Sequence, residues 1–540
     1  MSVRSKRVSA VALLALSSTI LAACSGGAST AAKPQTVEGG AATFAVDSVF
    51  LGFDPNVTSN AQDARVLRQV FDSLLYLKDG KVEPWLATNW EVSEDGLRYT
   101  FGLKKGVTFQ DGTPFNADAV CYNLDRIKNP ATASIYAIGL IGPYTSCKAV
   151  DATTAEITLS APYAPFLNNL TSPFMGFNSP TAAKAKPPAD YSLAPVGTGP
   201  FKITSYTPGN RVVLTRNEAY SWGPDNDARK GTACLKDLTF RIIPDPTVRI
   251  GSVLNGTIEA GSDVPPNRVK EIEGNSAVKV LSQPQSGAAY QLHLNSSRSP
   301  FNDPAVRAAA SAALNVDAAL AALYKGLLKR ADSPLSSSTV GYSASKMEPF
   351  NAAAAAAALE KAGWTKGSDG VRSKGGERLR VLYLEGAPNR ENRQDLAAFF
   401  KANLEAVGFD VELVFEQMGP LIARIKADNY DIAGLSLGAV DPNILYQMFD
   451  PSFIPTSAKF GFNWSHTNDP ALTALLSDGQ KAKNTGARDK IYADVQASVV
   501  KDTRTIPVYV PSYTLAVNGL QGIRFDAEGY PILHDTCLTK

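Results

Sequence analysis

The first 24 residues constrain this chain more than any later stretch. Arg4, Lys6 and Arg7 precede an apolar run at residues 8–21, which ends in Leu21-Ala22-Ala23-Cys24. A run of about 14 residues is too short to span a bilayer, and a basic start, apolar middle and small-residue end make a secretory signal. Ala22 and Ala23 suit a narrow peptidase site. Cys24 is the expected lipidation site, its thiol carrying the diacylglyceryl chain once cleavage makes it the mature N-terminus. The rest of the chain is then expected to fold outside the cytoplasm, where disulfides persist. Residues 25–38 are small and polar and cannot bury enough apolar surface to offset their ordering entropy, so they read as a flexible tether. No later segment offers about 18 consecutive apolar residues. The expected location is the outer face of the cytoplasmic membrane, held by the lipid alone.

Charge narrows the class of partner. The chain carries 53 basic and 51 acidic residues. Without Arg4, Lys6 and Arg7 the mature part is close to neutral. No Lys/Arg stripe of the kind that neutralises phosphates occurs, which excludes nucleic acid as the expected partner. A mature length of about 500 residues exceeds what one hydrophobic core serves, so several lobes are expected. Beyond Cys24 the cysteines are Cys121, Cys147, Cys234 and Cys537. An even number in an exported chain favours disulfides, with three pairings open. The preferred one joins Cys121 to Cys147, closing a local loop, and Cys234 to Cys537, tying down the C-terminus. A local bridge of that size is worth about 3 kcal/mol. The spacings match no zinc signature, and no metal or cofactor is expected.

Periodicity then alternates between strand and helix. Thr43 to Val46 reads as a strand, and residues 61–77 carry Val66, Leu67, Val70, Leu74 and Leu75 at helical spacing. Between residues 85 and 109 apolar positions alternate around an Asp95-Gly96 hairpin turn, and Asn116 is placed to cap a helix with the face Val120, Leu124, Ile127. Residues 162–195 are rich in Pro, Asn and Ser and read as irregular surface. Strands at 238–243, 290–294, 379–384 and 411–415 interleave with helices at 248–254, 304–314, 351–361 and 393–407. This is the α/β pattern of a mixed sheet with helices on its faces.

Residues 84–120, PWLATNWEVSEDGLRYTFGLKKGVTFQDGTPFNADAV, resemble over their whole length the diagnostic block of extracytoplasmic solute-binding proteins of the peptide/nickel class, the capture subunits of ABC importers. PVGTGPF at 195–201, VFDSLL at 70–75, the segment 295–314 with its Asp303-Pro304-Ala305-Val306-Arg307 core, and Ala362-Gly363-Trp364 agree in order. The resemblance implies a bilobal periplasmic-binding-protein-like clamp with mixed sheets and an extra β-rich subdomain, three domains in all, enclosing a ligand at a hinge. In that plan residues 39–77, 195–285 and 501–540 form lobe I, 78–194 the extra subdomain and 286–500 lobe II. The Cys234–Cys537 pair falls inside lobe I. The implied partners are a small-molecule or peptide ligand, the permease subunits and the membrane through the anchor, with the chain a monomer. Asp111-Gly112 and Asn116 are read as a turn and a cap that identify the family without acting on a ligand.

Candidate ligand contacts are Phe50, Tyr290, Ser436, Asp441, Asn463 and Trp464, from strand ends, hinge loops and the loop 433–443. In peptide-binding relatives an aspartate three positions before an acid-Pro pair holds the peptide's amino group. Here Asp441-Pro442 supplies the pair and Gly438 stands at the anchor position. The solutes weighed are therefore a peptide or peptide-like molecule first, and an oligosaccharide, an opine-like conjugate or a nickel chelate as alternatives. Asp441 is either a partner for a cationic group or a cap for the helix after it, and Trp464 either a stacking wall or a core residue. Gly434-Leu435-Ser436-Leu437-Gly438 also matches the nucleophile-elbow pattern, with His466 or His534 and Asp441 or Asp450 as the rest of a hydrolase triad. That enzyme reading is the minor one; the expectation is a binding protein without catalysis.

Overall fold

The computed structural model describes residues 35–225 and 227–540. The leader, Cys24 and nearly all of the tether lie outside them. Among the described residues two mixed sheets organise the chain. The first has seven strands in the spatial order Val278–Pro284, Ser512–Asn518, Ala260–Ser262, Ala41–Val46, Asp237–Ile242, Arg211–Arg216 and Phe201–Thr207. The second has six, in the order Lys329–Arg330, Thr505–Val510, Tyr290–Leu294, Ile432–Leu435, Arg380–Gly386 and Asp410–Glu416. A four-stranded antiparallel sheet holds Ala87–Val92, Arg98–Leu103, Thr154–Leu159 and Tyr144–Asp151.

Local chemistry explains most boundaries. Gly96 sits at φ 75° in the turn between Ala87–Val92 and Arg98–Leu103, a conformation glycine adopts without a Cβ clash. Asn116 caps Ala117–Lys128 by accepting from the Ala119 amide at 3.0 Å. Asp303 caps Pro304–Ala313 and Asn351 caps Ala352–Lys361 in the same way. Arg393–Ala406 connects the parallel strands Arg380–Gly386 and Asp410–Glu416, the crossover that parallel pairing requires.

Two expectations are corrected. The helix read over 61–77 ends at Val70, and Leu75–Lys78 is a strand paired with Lys81–Pro84. The Val70 carbonyl accepts from the Gly199 amide, and Asp72 is buried under Thr198, Tyr220 and Trp222, so tertiary partners pull the backbone out of the helix. Thr505–Val510 belongs to the second sheet, paired with Tyr290–Leu294, so the chain leaves that sheet after 510 and not at 500. Its TIPVYV sequence, buried at every position, reads equally well in either sheet.

The apolar core follows the sheets. Phe44, Phe240 and Leu515 of the first sheet are continuous through Leu67 and Phe71 with Phe101, Val120 and Ile157 around the four-stranded sheet. Tyr290, Leu292, Val381, Phe400 and Val508 form a separate cluster around the second sheet. The disulfides join Cys121 to Cys147 and Cys234 to Cys537, the pairing preferred from the sequence. The second holds Cys537–Thr539 beside Thr36–Val37, so both ends of the described chain share one small sheet.

Candidate functional site

Two short crossings join the sheets and fix which strand ends face each other. Val278–Pro284 is followed by Tyr290–Leu294, and Thr505–Val510 is separated from Ser512–Asn518 by Pro511 alone. The Gln285 amide donates to the Pro511 carbonyl at 2.8 Å, binding the two crossings together. Parallel and antiparallel registers then place Asp47, Asp263 and Tyr513 at the crossing edge of the first sheet, and Tyr290, Glu385, Ser436 and Tyr509 at that of the second.

At the second edge the site is built round Arg393, the first residue of its helix. Its Nη2 donates to Glu391 at 2.8 Å and to Ser436 Oγ at 2.9 Å, and its Nε to Tyr509 Oη at 3.0 Å. The guanidinium lies 4.4 Å above the Tyr290 ring, which stacks on Tyr509 with centroids 4.7 Å apart. Tyr509 Oη donates to Glu391 at 2.6 Å and Tyr290 Oη to Glu385 at 2.5 Å. Glycine at 434 makes this possible, because a Cβ there would overlap Tyr290 Oη and the Glu385 carboxylate. Burial raises the Glu391 carboxyl, but Arg393 and Arg390 outweigh it and hold it near 2. Burial raises Glu385 too, with Arg393 and the Tyr290 bond opposing. The result is a charged, preorganised wall whose cation is fixed on all but one side.

At the first edge Arg65 comes from the helix Ala61–Val70 and is 2 % exposed. Its guanidinium lies 4.3 Å from the Tyr513 ring and 4.0 Å from Asp263, and Nη1 donates to Gln62. Arg65 Nε is buried with no partner among the described residues. A buried donor left unpaired is costly, and an acceptor from a solute would satisfy it.

The sequence candidates divide. Tyr290 and Ser436 meet round Arg393. Phe50 is buried against Phe53 and Tyr206. Asp441 is corrected as a partner for a solute's cation. It is paired in two bonds with Arg488 at 2.9 and 2.6 Å and accepts from Asn168 Nδ2 at 2.7 Å, so its cation is internal. Its Oδ1 also accepts from the Asn443 amide at 2.8 Å, the bond of a cap, on the turn that leads from Pro442 into the helix Ile444–Phe449. Asn463 is buried and ties its own loop by bonds to Asp450 and Thr467. Trp464 is a core residue, its indole N–H donating to the Gly461 carbonyl at 3.0 Å beside Met448 and Phe449. The hydrolase reading fails on geometry: Ser436 accepts from Arg393, His466 lies 3.3 Å from Asp428, and His534 is lodged between Asp227 and Asp535. No helix follows Ile432–Leu435 until Ile444, so there is no elbow.

Arg65, Arg393, Glu391, Glu385 and Tyr509 were not singled out in the sequence. A signal for Arg65 exists in retrospect: it precedes Val66 and Leu67, and Arg68 follows Leu67, in a helix that is buried nearly all round. Charges on such a helix need partners or a ligand.

Residues 81–455 match the bacterial extracellular solute-binding proteins, family 5, middle region. The chain is similar to the glutathione-binding protein GsiB of Pectobacterium atrosepticum, 27% identical over 468 residues, which cover 85% of this chain and 87% of that one. Among solved structures it resembles NikA of Brucella suis in complex with Fe(III)-EDTA, with a TM-score of 0.82 and 26% identity over 93% of this chain and 100% of that one. It also resembles the periplasmic binding protein DppA of Helicobacter pylori in complex with the peptide STSA, with a TM-score of 0.78 and 26% identity over 93% of this chain and 99% of that one. With its two sheets joined at a hinge, and a match that spans most of its length, the chain belongs to family 5 of the bacterial extracellular solute-binding proteins, whose members bind solutes and are not enzymes.

Proposed function

We propose that this protein captures a peptide or peptide-like solute between its two sheets and hands it to the permease subunits of an ABC importer. The observation that carries the reading is the pair of arginines at the crossing edges of the two sheets, Arg65 buried and Arg393 half-buried, each beside a tyrosine ring. Guanidinium groups recognise carboxylates through directed, charge-assisted bonds, and buried aromatic rings bind side chains of many shapes. Two of the relatives named above carry a peptide in their description, glutathione and STSA. A metal chelate is the second reading, since the ligand described for the Brucella relative is a polycarboxylate that the same arginines would suit.

In this reading residues 39–77, 195–285 and 511–540 act as lobe I, 78–194 as the extra subdomain and 286–510 as lobe II. Cys24 carries the lipid that keeps a monomeric clamp beside its importer. Closure on the solute shifts a hinge equilibrium, and the closed form is what the permease recognises. Mass spectrometry of the solute released from purified protein on mild denaturation, with small-angle scattering before and after adding short peptides, tests this. A bound peptide and a smaller radius with peptide are expected. A chelate or sugar as the only released solute, with no compaction by peptides, would overturn it.

A further inference from the structure

The chain passes between the two sheets at the crossings beside Gln285 and Pro511, yet the proposed extra subdomain meets lobe II a second time. The contact is made by the short helix Phe166–Asn169 and the turn before it, against the loop 438–443 and the helix Pro470–Lys481. Asn168 Nδ2 donates to Asp441 Oδ2 at 2.7 Å, Asn443 Nδ2 to Tyr163 Oη at 3.3 Å, and the Ala164 amide to the Gln480 carbonyl at 2.7 Å. The same seam carries bonds from Tyr136 Oη to the Gly438 carbonyl at 3.0 Å and from Lys483 Nζ to the Glu94 carbonyl at 2.8 Å. Each of these bonds joins a residue of 78–194 to one of 286–510, so all of them must break before the two can part.

The seam opens without leaving a charge unpaired. Asp441 is neutralised within lobe II by Arg488, which takes both of its oxygens and is itself held by the Gly479 carbonyl at 2.9 Å and the Tyr492 ring. What crosses from the subdomain to this pair is the neutral amide of Asn168. An ion pair split across the seam would leave two uncompensated charges on opening, whereas a neutral donor on a carboxylate already paired leaves none. Tyr163 likewise keeps the Gly139 carbonyl and Asn169, and Asn443 keeps the Tyr492 hydroxyl, when the bond between them separates. The partners of Arg65 and Arg393 are a different set, so the seam does not draw on the groups proposed to meet the solute.

We propose that this seam is a closure latch, in which Asn168 and Tyr163 of the subdomain dock on the Asp441–Arg488 pair and Asn443 of lobe II and hold the clamp shut whatever solute it carries. The proposal rests on the clamp reading and adds a share of the closing free energy that comes from the protein alone. A solute's apparent affinity scales with the fraction of protein in the binding-competent state. Weakening the latch therefore lowers affinity for chemically unrelated solutes by one common factor, whereas a change to a contact in the solute site alters each by a different factor.

Hydrogen exchange of the full protein at the Ala164 amide, read by mass spectrometry, reports the seam directly because the acceptor lies on lobe II. N168D sets a second carboxylate against Asp441 and should speed that exchange by about tenfold or more, and N168A by about two- to tenfold. Exchange within the strands Thr154–Leu159 and Tyr290–Leu294 should stay at the wild-type rate, which separates an opened seam from a misfolded lobe. Wild-type exchange at Ala164 in both variants would overturn the latch and leave the clamp standing. If N168D speeds exchange in those strands as well, N168A decides, and unchanged exchange at its Ala164 overturns the latch. Randomised tripeptides added to N168D should slow Ala164 exchange again; no slowing, in a variant whose seam has opened, counts against the peptide reading and leaves the latch standing.

Discussion

Arg393 and Arg65 stand at the crossing edges of opposite sheets but are held differently. Arg393 is bonded by Glu391, Ser436 and Tyr509 and braced on Tyr290, all from its own lobe. Arg65 has one neutral side-chain bond, a distant carboxylate and an unpaired Nε. A buried charge whose partners are internal serves first to hold its lobe together, whereas one with a donor to spare is free to serve a solute. The second edge is closed by its own residues, and the first keeps the unpaired Arg65 Nε that the proposed reading gives to the solute.

The largest expected effect separates these roles. Arg393→Met takes away the cation bonded to Glu391 and near Glu385, leaving only Arg390 beside Glu391, and should cost about 3–5 kcal/mol of stability in urea denaturation. Arg65→Met should cost clearly less, while losing most of the copurifying solute. Equal destabilisation by the two would erase the distinction. Gly434→Ala comes next: the added methyl must part Tyr290 from Glu385, and about 1–3 kcal/mol is expected from the thermal midpoint, with Arg65's environment unaffected.

Acid titration sharpens the same contrast. The folded pKa of Glu391 is depressed to about 2, so its contribution is present above its unfolded value and is lost as pH falls through 2. The difference in stability between wild type and Glu391→Gln should therefore be full near neutral pH and shrink from about pH 4.5 downward. A difference that does not change with pH would mean that Arg393 does not hold Glu391 charged. The smallest effect is Ser436→Ala, which removes one neutral acceptor from a guanidinium with other partners, about 1 kcal/mol or less by denaturation. Retention of solute binding in that variant is the matching expectation.

Where a signal is local it was legible. Asn116, Asp303 and Asn351 cap the helices they precede because a short polar side chain before a helical run has a free amide within reach. Asp95-Gly96 turns where it should, and the cysteines pair in the preferred way. Where the signal depends on a distant partner, it was ambiguous. Leu74 and Leu75 fit a helical stripe, yet Gly199 and Thr198 draw that stretch into extended backbone. Asp441 next to a proline reads as a cap or a ligand contact; it does accept the Asn443 amide, and Arg488, 47 residues later, takes the place of a solute's cation. Trp464 offers the same ring to a solute or a core, and Met448 and Phe449 decide it.

The sequence by itself determined the class of this protein: an α/β chain with a family block at residues 84–120 and cysteines that close within the body. Those follow from composition, short-range periodicity and contiguous motif, which need no knowledge of what lies across the fold. Only the tertiary structure decided which charges stay available. Whether Arg65, Arg393 or Asp441 is spent internally depends on partners tens to hundreds of residues away, and that pairing, far more than the residue type, sets what each group can bind.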